Sequence, residues 1–595
     1  MNAFKADATI YNREELSGTD GESDEELLQG LLRNEGLEAL REVQGCYAFA
    51  WDRGEEVVLG RDLLGRRPLF YAVEDGVSFA SRRRVLERKG LEPREVHPRN
   101  FVIYDRESGE VEMDYRGFLG PSEGETGNLE EASDKLTDAF LEAVDRRVDG
   151  PTALLFSGGV DSTMIAAALR ELGKDFTCYT AGIQHGNVDP PEDVEWAEEV
   201  AEDMGLDLEI RKGSLDEVEE KVPELVDLLS SSSVVKAGVA LPEIFALEDA
   251  EEDVVLSGLG SEQLFAGYSR QREDELDFEL VSGLRNLFHR DLYRDNVSAA
   301  EAGMELRLPF LDQGMIEEAR RIPGELKVRD GYRKYVLREA AENLGVPGKV
   351  AWRGKKAAQY GSNFDKALSR LAKDRGVSKQ EYLKGFRDRP DLRLAALFSG
   401  GKDSNAALYR MSRRNNEIGC LLNLRSRNPD SYMFDSKERT VVKQQSSSLG
   451  IPLLTEETPG EKEEELEELE RMMERAREEC GAEGVVSGAL ASVYQRKRVE
   501  EAADRTGLKA FSPLWMEDQE GYMRWLVREG FEVKVTEVKA RGLDEEWEGR
   551  TLDRDAVEEL VELSEEHGFQ PAGEGGGFET VVVDGPMFSR RIDGN

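Results

Sequence analysis

Between Ala8 and about Gly117, apolar residues alternate with polar ones or run in short blocks broken by glycine and charge. Tyr47-Ala48-Phe49-Ala50-Trp51-Asp52, Val57-Val58-Leu59-Gly60-Arg61-Asp62 and Pro68-Leu69-Phe70-Tyr71 are the clearest blocks. A period of two with such breaks predicts strands and turns, here with one early helix. From Glu130 the pattern changes. A helix over Ala132 to Val148 leads into the short apolar run Leu154-Leu155-Phe156, followed by a strand at Thr177 to Gly182 and a helix around Trp196. A second such series begins with the buried-strand run Leu394 to Phe398, and Asn405 to Arg410 is a good helix start. Glu461 to Glu479 carries Leu466, Leu469, Met472, Met473 and Ala476 on one stripe, which predicts an acidic amphipathic helix with that stripe packed and the rest solvated. Two polar, glycine-broken stretches, Phe118 to Leu129 and Arg370 to Pro390, are expected to be linkers.

Each series places the same residues between strand and helix. The first has Ser157-Gly158-Gly159-Val160-Asp161-Ser162, and the second, 242 residues later, has Ser399-Gly400-Gly401-Lys402-Asp403-Ser404. Strand, tight glycine loop and helix aim several backbone N–H groups and a helix N-terminus at one point, where an anion fits. The glycines allow close backbone approach and the serine hydroxyls add donors. Lys402 supplies positive charge, and Asp403 and Asp161 are candidate partners for a magnesium ion. A Gly-Gly turn alone is common, and the repeat gives it weight. Both copies resemble the loop of the ATP-pyrophosphatase superfamily, which splits ATP into AMP and pyrophosphate. They differ from the Gly-x4-Gly-Lys-Ser/Thr loop, which spares the α–β bond.

At 595 residues the chain is too long for one core and suggests three or four domains. No run approaches the ~20 apolar residues of a membrane span, and Met1 to Leu16 has no apolar signal segment. Cys46, Cys178, Cys420 and Cys480 are scattered with no Cys-x-x-Cys pair, which argues against metal clusters and disulfide scaffolds and fits a reducing cytoplasm. A net charge of −44 repels phosphate backbones, so no stable nucleic-acid binding is expected; the basic runs Arg82-Arg83-Arg84 and Gln495-Arg496-Lys497-Arg498 are short. With 55 Arg and 24 Lys beside 123 acids, the composition is similar to that of halophile proteins.

The segment "GCYAFAWD…VVLGRDLLGRRPLFY…VSFASRRRVLE" resembles the glutaminase domain of asparagine synthetase. Those domains begin with a cysteine whose amine activates its thiolate. Here the chain starts Met1-Asn2, and roughly the first third of the domain has no counterpart. Asp7-Ala8-Thr9 stands where the family has its glutamine-holding Asn-Gly-Glu. Asp24 alone resembles a surviving substrate contact, and Cys46 reads as a core residue, so this domain is expected to be unable to hydrolyse glutamine. Downstream, Ser257-Gly258-Leu259-Gly260-Ser261-Glu262-Gln263-Leu264-Phe265-Ala266-Gly267-Tyr268 resembles the synthetase motif Ser-Gly-Glu/Asp-Gly-x-Asp-Glu-x-Phe-x-Gly-Tyr. Glu305 to Asp312 and Val350 to Lys356 match later synthetase signatures, and the resemblance makes Gly182 and Ile183 candidates for reading adenine. It covers Ala8 to about Ala372. Leu259 replaces the acid beside the reacting centre, losing a charge and an acceptor, and Glu262-Gln263 replaces an Asp-Glu pair.

The last third resembles the diphthine–ammonia ligase family over about Leu392 to Ile592. The resemblance rests on Ser399 to Ser404, Ser431-Tyr432-Met433, Gly488 to Glu500, Pro513-Leu514-Trp515, Val538 to Asp544, Gly549 to Asp553 and Gly573 to Thr580. Gly577 stands where the family has a central Glu, while Glu574 and Glu579 remain. The resemblance implies an ATP-dependent carbon–nitrogen ligase acting on diphthine, a modified histidine of translation elongation factor 2, with ammonia as the second substrate and ATP and Mg2+ required. It makes Asp403, Lys402, Glu574 and Glu579 the candidate catalytic residues. Glu574 and Glu579 would grip the cationic diphthine group or take a proton from ammonia; otherwise they are loop-end acids. Gln495, Arg496 and Arg498 are candidates for substrate or phosphate contact, with a solvated basic face as the alternative.

The fold expected is α/β. Two doubly wound parallel-sheet domains of the ATP-pyrophosphatase (adenine nucleotide alpha hydrolase-like) type span 130–385 and 391–595, after a truncated glutaminase-like β-rich domain over 1–118. The alternatives are an ammonia-dependent asparagine synthetase, an elongation-factor-binding protein with vestigial ATP sites, and a tRNA sulfur-transfer enzyme. The last would need a cysteine pair that the spacing does not offer.

Overall fold

The computed structural model describes residues 3–16, 23–120, 127–184, 191–354, 361–426, 439–458 and 465–593. The chain divides into two compact units, Met1–Arg389 and Pro390–Asn595.

The first unit opens with an antiparallel sheet ordered Phe4–Ile10, Gly45–Asp52, Glu56–Arg61, Asn100–Asp105, Val111–Tyr115. Alternation along Gly45–Asp52 sends Tyr47, Phe49 and Trp51 to one face, where they meet Leu27, Leu28, Leu31 and Leu32 of helix Asp24–Glu35. Ala48 and Ala50 go to the other face, against Leu69, Tyr71 and Val96 of a smaller antiparallel sheet. A parallel five-stranded sheet follows, ordered Leu208–Gly213, Phe176–Ile183, Thr152–Leu155, Val254–Leu256, Glu305–Arg307. Leu64, Phe70, Ala72 and Leu86 of the β-rich region belong to the same core as that sheet's helices, so the two regions share an interior.

The second unit has a parallel sheet ordered Leu453–Thr458, Glu417–Ser426, Arg393–Leu397, Gly484–Val486, Lys509–Phe511. Leu394 and Ala396 pack on one side and Ala395 on the other, the mark of a strand buried on both faces. A two-stranded antiparallel ribbon, Glu532–Val538 with Phe578–Asp584, closes the unit beside helices Gln519–Arg528 and Arg554–His567. In both parallel sheets the spatial order is third, second, first, fourth and fifth strand by chain position. The loop after the first strand therefore opens at the switch point, where ligands bind in such folds.

Leu469, Met472, Met473 and Ala476 are buried on one stripe of helix Glu465–Glu479, as the periodicity predicts. The expected linker Arg370 to Pro390 is corrected. Ser378 and Glu381 form a reciprocal cap that starts helix Lys379–Lys384, whose Tyr382 and Leu383 are buried in the first unit's core. Among the described residues, no single helix is long and apolar enough to cross a membrane.

Candidate active site

In the second unit the loop turns at Gly400, whose φ of +84° lies in the left-handed region where a side chain would be strained. Gly401 takes the cap position of helix Lys402–Ser412. Ser404 Oγ donates to the Gly401 carbonyl (3.1 Å) and accepts from Ser399 Oγ (3.4 Å), so the serines shape the loop from within. The last strand braces it from outside: Val582 N–H donates to the Gly400 carbonyl (3.1 Å), and Lys402 N–H to Thr580 Oγ1 (3.2 Å). Gln445 Nε2 donates to both the Gly400 and Val582 carbonyls, at 2.9 and 2.7 Å. Gly488 is pressed against the Asp403–Ser404 peptide, where a Cβ would sit 2.9 Å from the Asp403 carbonyl carbon.

The carboxylate of Asp403 accepts from Lys402 Nζ at Oδ2 (2.7 Å) and from Tyr522 Oη at Oδ1 (2.8 Å). Lys402 is almost fully buried, whereas the Asp403 side chain is 30% exposed. Glu574 joins the same group. Burial and the charge of Asp403 push its carboxyl up to about 6, against smaller lowering by Lys402 and the Ala491 backbone N–H. Among the described residues no group of three or more His, Cys, Asp or Glu could hold a metal by itself. Asp403 nevertheless fits a magnesium ion carried by ATP, since such ions take one or two carboxylates and draw their other ligands from phosphates and water. Each Asp403 oxygen keeps a lone pair beyond the bond it accepts.

The structure thus brings Ser399, Gly400, Gly401, Lys402, Asp403, Ser404 and Glu574 together. Glu579 lies on the closing strand, paired in register with Glu537, next to the bracing Thr580. Gln495, Arg496 and Arg498 lie in the first two turns of helix Val493–Thr506, capped by Ser492. Arg496 is engaged by Glu500 (2.9 Å) and stacks over Trp515 (4.5 Å), and Arg498 lies 3.6 Å above the Tyr494 ring. Both arginines are half-buried and engaged within the unit, while Lys497 between them is exposed. Ser431-Tyr432-Met433 lies outside the described residues. Tyr522 and Gln445 were not singled out by sequence, and Thr580 entered only as the end of the Gly573 to Thr580 motif, with no role attached.

The first unit's loop has the same backbone: Gly158 at φ +65°, Gly159 as cap, and Ser162 Oγ donating to the Gly159 carbonyl (3.3 Å). Gly258 presses on Asp161 as Gly488 does on Asp403, so Ser257-Gly258 and Ser487-Gly488 are structural counterparts. Its carboxylate differs. Asp161 accepts at both oxygens from buried Lys334 (3.0 and 2.8 Å), which also meets Ser261 Oγ (3.0 Å) and Glu262 (2.9 Å). Leu259 packs against the core. Trp196 Nε1 donates to the Gly158 carbonyl (2.8 Å). The Ile183 N–H and carbonyl, expected to read adenine, are bonded to the Ser362 carbonyl and Asn363 Nδ2 at 3.0 and 3.3 Å.

The β-rich region holds ion pairs. Thr9 Oγ1 donates to Glu305 (2.6 Å), and Arg67 pairs with Asp7 (3.2 Å) and with Glu305. Asp24 accepts from the Ile10 N–H (2.9 Å) and Arg13 (2.6 Å), so both its oxygens are committed. Cys46 is buried in its strand. All four cysteines are free; Cys480 packs against the cluster that contains Cys420, and burial together with this neighbour pushes the Cys420 thiol well above the ordinary range.

Family models match in the order of these regions. "Glutamine amidotransferase domain" covers 8–110, "Asparagine synthase" 135–281 and 269–393, "Diphthamide synthase N-terminal domain" 392–510, and "Diphthamide synthase C-terminal domain" 518–594. A Methanocaldococcus jannaschii protein described as "Putative asparagine synthetase (glutamine-hydrolyzing) 1" is 32% identical over 60% of this chain and 76% of its own length. The "Diphthine--ammonia ligase" proteins of Homo sapiens and Rattus norvegicus are 31% and 33% identical, each over 34% of this chain and 82% of their own length.

Proposed function

Because the chain belongs to the diphthine–ammonia ligase family through its last third and to the asparagine synthetase family through the rest, we propose that its last third amidates diphthine on translation elongation factor 2. A carboxylate has no good leaving group for ammonia to displace. It attacks the α-phosphorus of ATP instead, forming an acyl-adenylate as the α–β bond breaks and pyrophosphate departs. Ammonia then adds to the acyl carbon, AMP leaves, and one proton is released. The N–H groups of the Ser399–Ser404 loop and the start of helix Lys402–Ser412 would hold the departing pyrophosphate, with Lys402 as a point charge. Magnesium on Asp403 would offset negative charge building on the phosphates. Glu574, raised to about 6, is largely ionised at neutral pH and suited to take the proton that ammonia loses.

The observation that carries this reading is the convergence of Lys402, Asp403, Tyr522 and Glu574 on one loop at the sheet's switch point. At the other loop Lys334 occupies both oxygens of Asp161, and a leucine replaces an acid. We assign the first unit a scaffold or ammonia-handling role. A second reading, ammonia-dependent asparagine synthesis by the first unit, is favoured by the relatedness of that unit to asparagine synthetases. The deciding experiment supplies purified protein with diphthine-bearing factor, ammonium and Mg·ATP. Stoichiometric AMP, pyrophosphate and amidated factor support the ligase. ADP formation, or an unamidated factor with ammonium in excess, rejects it.

A further inference from the structure

The two loops share a shape but hold their carboxylates differently. Asp161 surrenders both oxygens to one lysine. Asp403 also has a lysine against it, but Lys402 bonds only Oδ2, because Oδ1 is taken by the Tyr522 hydroxyl. Tyr522 is fully buried on helix Gln519–Arg528, whose start is capped by Asp518, and its ring stacks with Trp525 at 6.2 Å between centroids. Facing a carboxylate, which only accepts, the phenol is the donor of this bond.

We propose that Tyr522 is a positioning residue of the ligase: its hydroxyl fixes the Asp403 carboxylate and prevents Lys402 from capturing both oxygens. The inference rests on the ligase reading and deepens it. An ammonium that bridges both oxygens, as Lys334 does at Asp161, sets its positive charge across the edge of the carboxylate that a metal ion would approach, and like charges repel. A carboxylate held by a neutral phenol on one oxygen and by an ammonium on the other keeps lone pairs for the metal that accompanies ATP. The phenol costs little to keep in place, since its ring is part of the apolar core formed by Leu408, Leu526 and Phe531.

Tyr522→Phe removes only the hydroxyl and keeps that packing. A hydrogen bond to a charged group of this kind is worth roughly ten- to a hundred-fold. Factor-dependent ATP–pyrophosphate exchange is therefore expected to fall by about that factor, with a higher Mg2+ concentration at half-maximal rate and an unchanged KM for the factor. Because Tyr522 acts only through Asp403, the same change in an Asp403→Asn background should add nothing. Calorimetric binding of Mg·ATP against metal-free ATP reads the claim without turnover: Tyr522→Phe should weaken the first and spare the second. Wild-type exchange in Tyr522→Phe, or a loss undiminished in the Asp403→Asn background, overturns it, as does equal weakening of both nucleotide forms. Should wild-type protein show no exchange with the factor, the ligase reading fails while the binding comparison still decides the role of Tyr522.

Discussion

The two Ser-Gly-Gly-x-Asp-Ser loops share one backbone and differ in what faces them. Both follow the central strand of a five-stranded parallel sheet, both turn at a left-handed glycine, and both start a helix on the next glycine. In each, a Ser-Gly pair after the fourth strand closes on the loop's aspartate. The Ser-Gly-Gly-x-Asp-Ser core specifies this backbone and nothing further. What the aspartate meets comes from far along the chain: Lys334, 173 residues on, for Asp161, and Tyr522, 119 residues on, for Asp403. The lesson is that a loop motif reports a cradle, while the partners that hold its aspartate come in part from the rest of the fold.

The largest effect should come from removing the carboxylate itself. Asp403→Ala is expected to lower factor-dependent ATP–pyrophosphate exchange on the order of a thousand-fold, as loss of a group acting on developing phosphate charge does. If Asp161→Ala alone abolishes that exchange, the assignment of chemistry to the second loop is wrong.

Next in size is the stability asymmetry. Lys334 is buried and neutralises Asp161 and Glu262 at once, so Lys334→Met leaves two acids without their shared cation. Breaking such a buried pair costs about 3 kcal/mol or more, and hydrogen exchange should show it throughout the first unit. Lys402→Met should cost less, since Asp403 is partly exposed and keeps its phenol. Equal losses in the two units would erase the contrast.

Much of this was legible in the sequence, and the boundary has a physical cause. Strand, glycine turn and helix start are local, written in contiguous residues, so both loops and both sheets could be placed. The acidic helix Glu465–Glu479 was equally readable, because its period matches the face it buries. Partners across the fold were not. Tyr522 in Gly521-Tyr522-Met523 reads as a core aromatic, and Lys334 in Arg333-Lys334-Tyr335 reads as a surface base, because burial and pairing are tertiary facts. Cys420 and Cys480 looked unrelated at a separation of 60 and share one cluster in the fold. The stretch Arg370 to Pro390 was misread because its charges hid a capped helix with a buried Tyr-Leu pair.

Glu574 sharpens the comparison through pH. As the base for ammonia it should impose a rising limb on kcat/KM with an apparent pKa near its raised value of about 6. Glu574→Gln should remove that limb and cost roughly a hundred-fold at neutral pH. A limb that survives the substitution would assign the proton to another group.

The smallest effect concerns stability at the same residue, and its sign is opposite to that of the activity. Glu574 binds its proton more tightly in the folded protein than in the unfolded chain, so its favourable contribution is present below the ordinary carboxyl value of 4.5 and is lost as pH rises through about 6. Above that pH the folded state carries a charge that burial and Asp403 disfavour, a cost of up to ~2 kcal/mol, reduced by the solvent that reaches this partly exposed side chain. Glu574→Gln should therefore stabilise the second unit at pH 7.5, by about 1 kcal/mol, while destroying activity, and the gain should vanish by pH 4.5. Hydrogen exchange across the strand Phe578–Asp584 of the full-length chain, at the two pH values, reads the difference where it arises. A variant less stable than its parent at pH 7.5 would mean that the ionised carboxylate of Glu574 is a structural brace rather than a base held ready for ammonia.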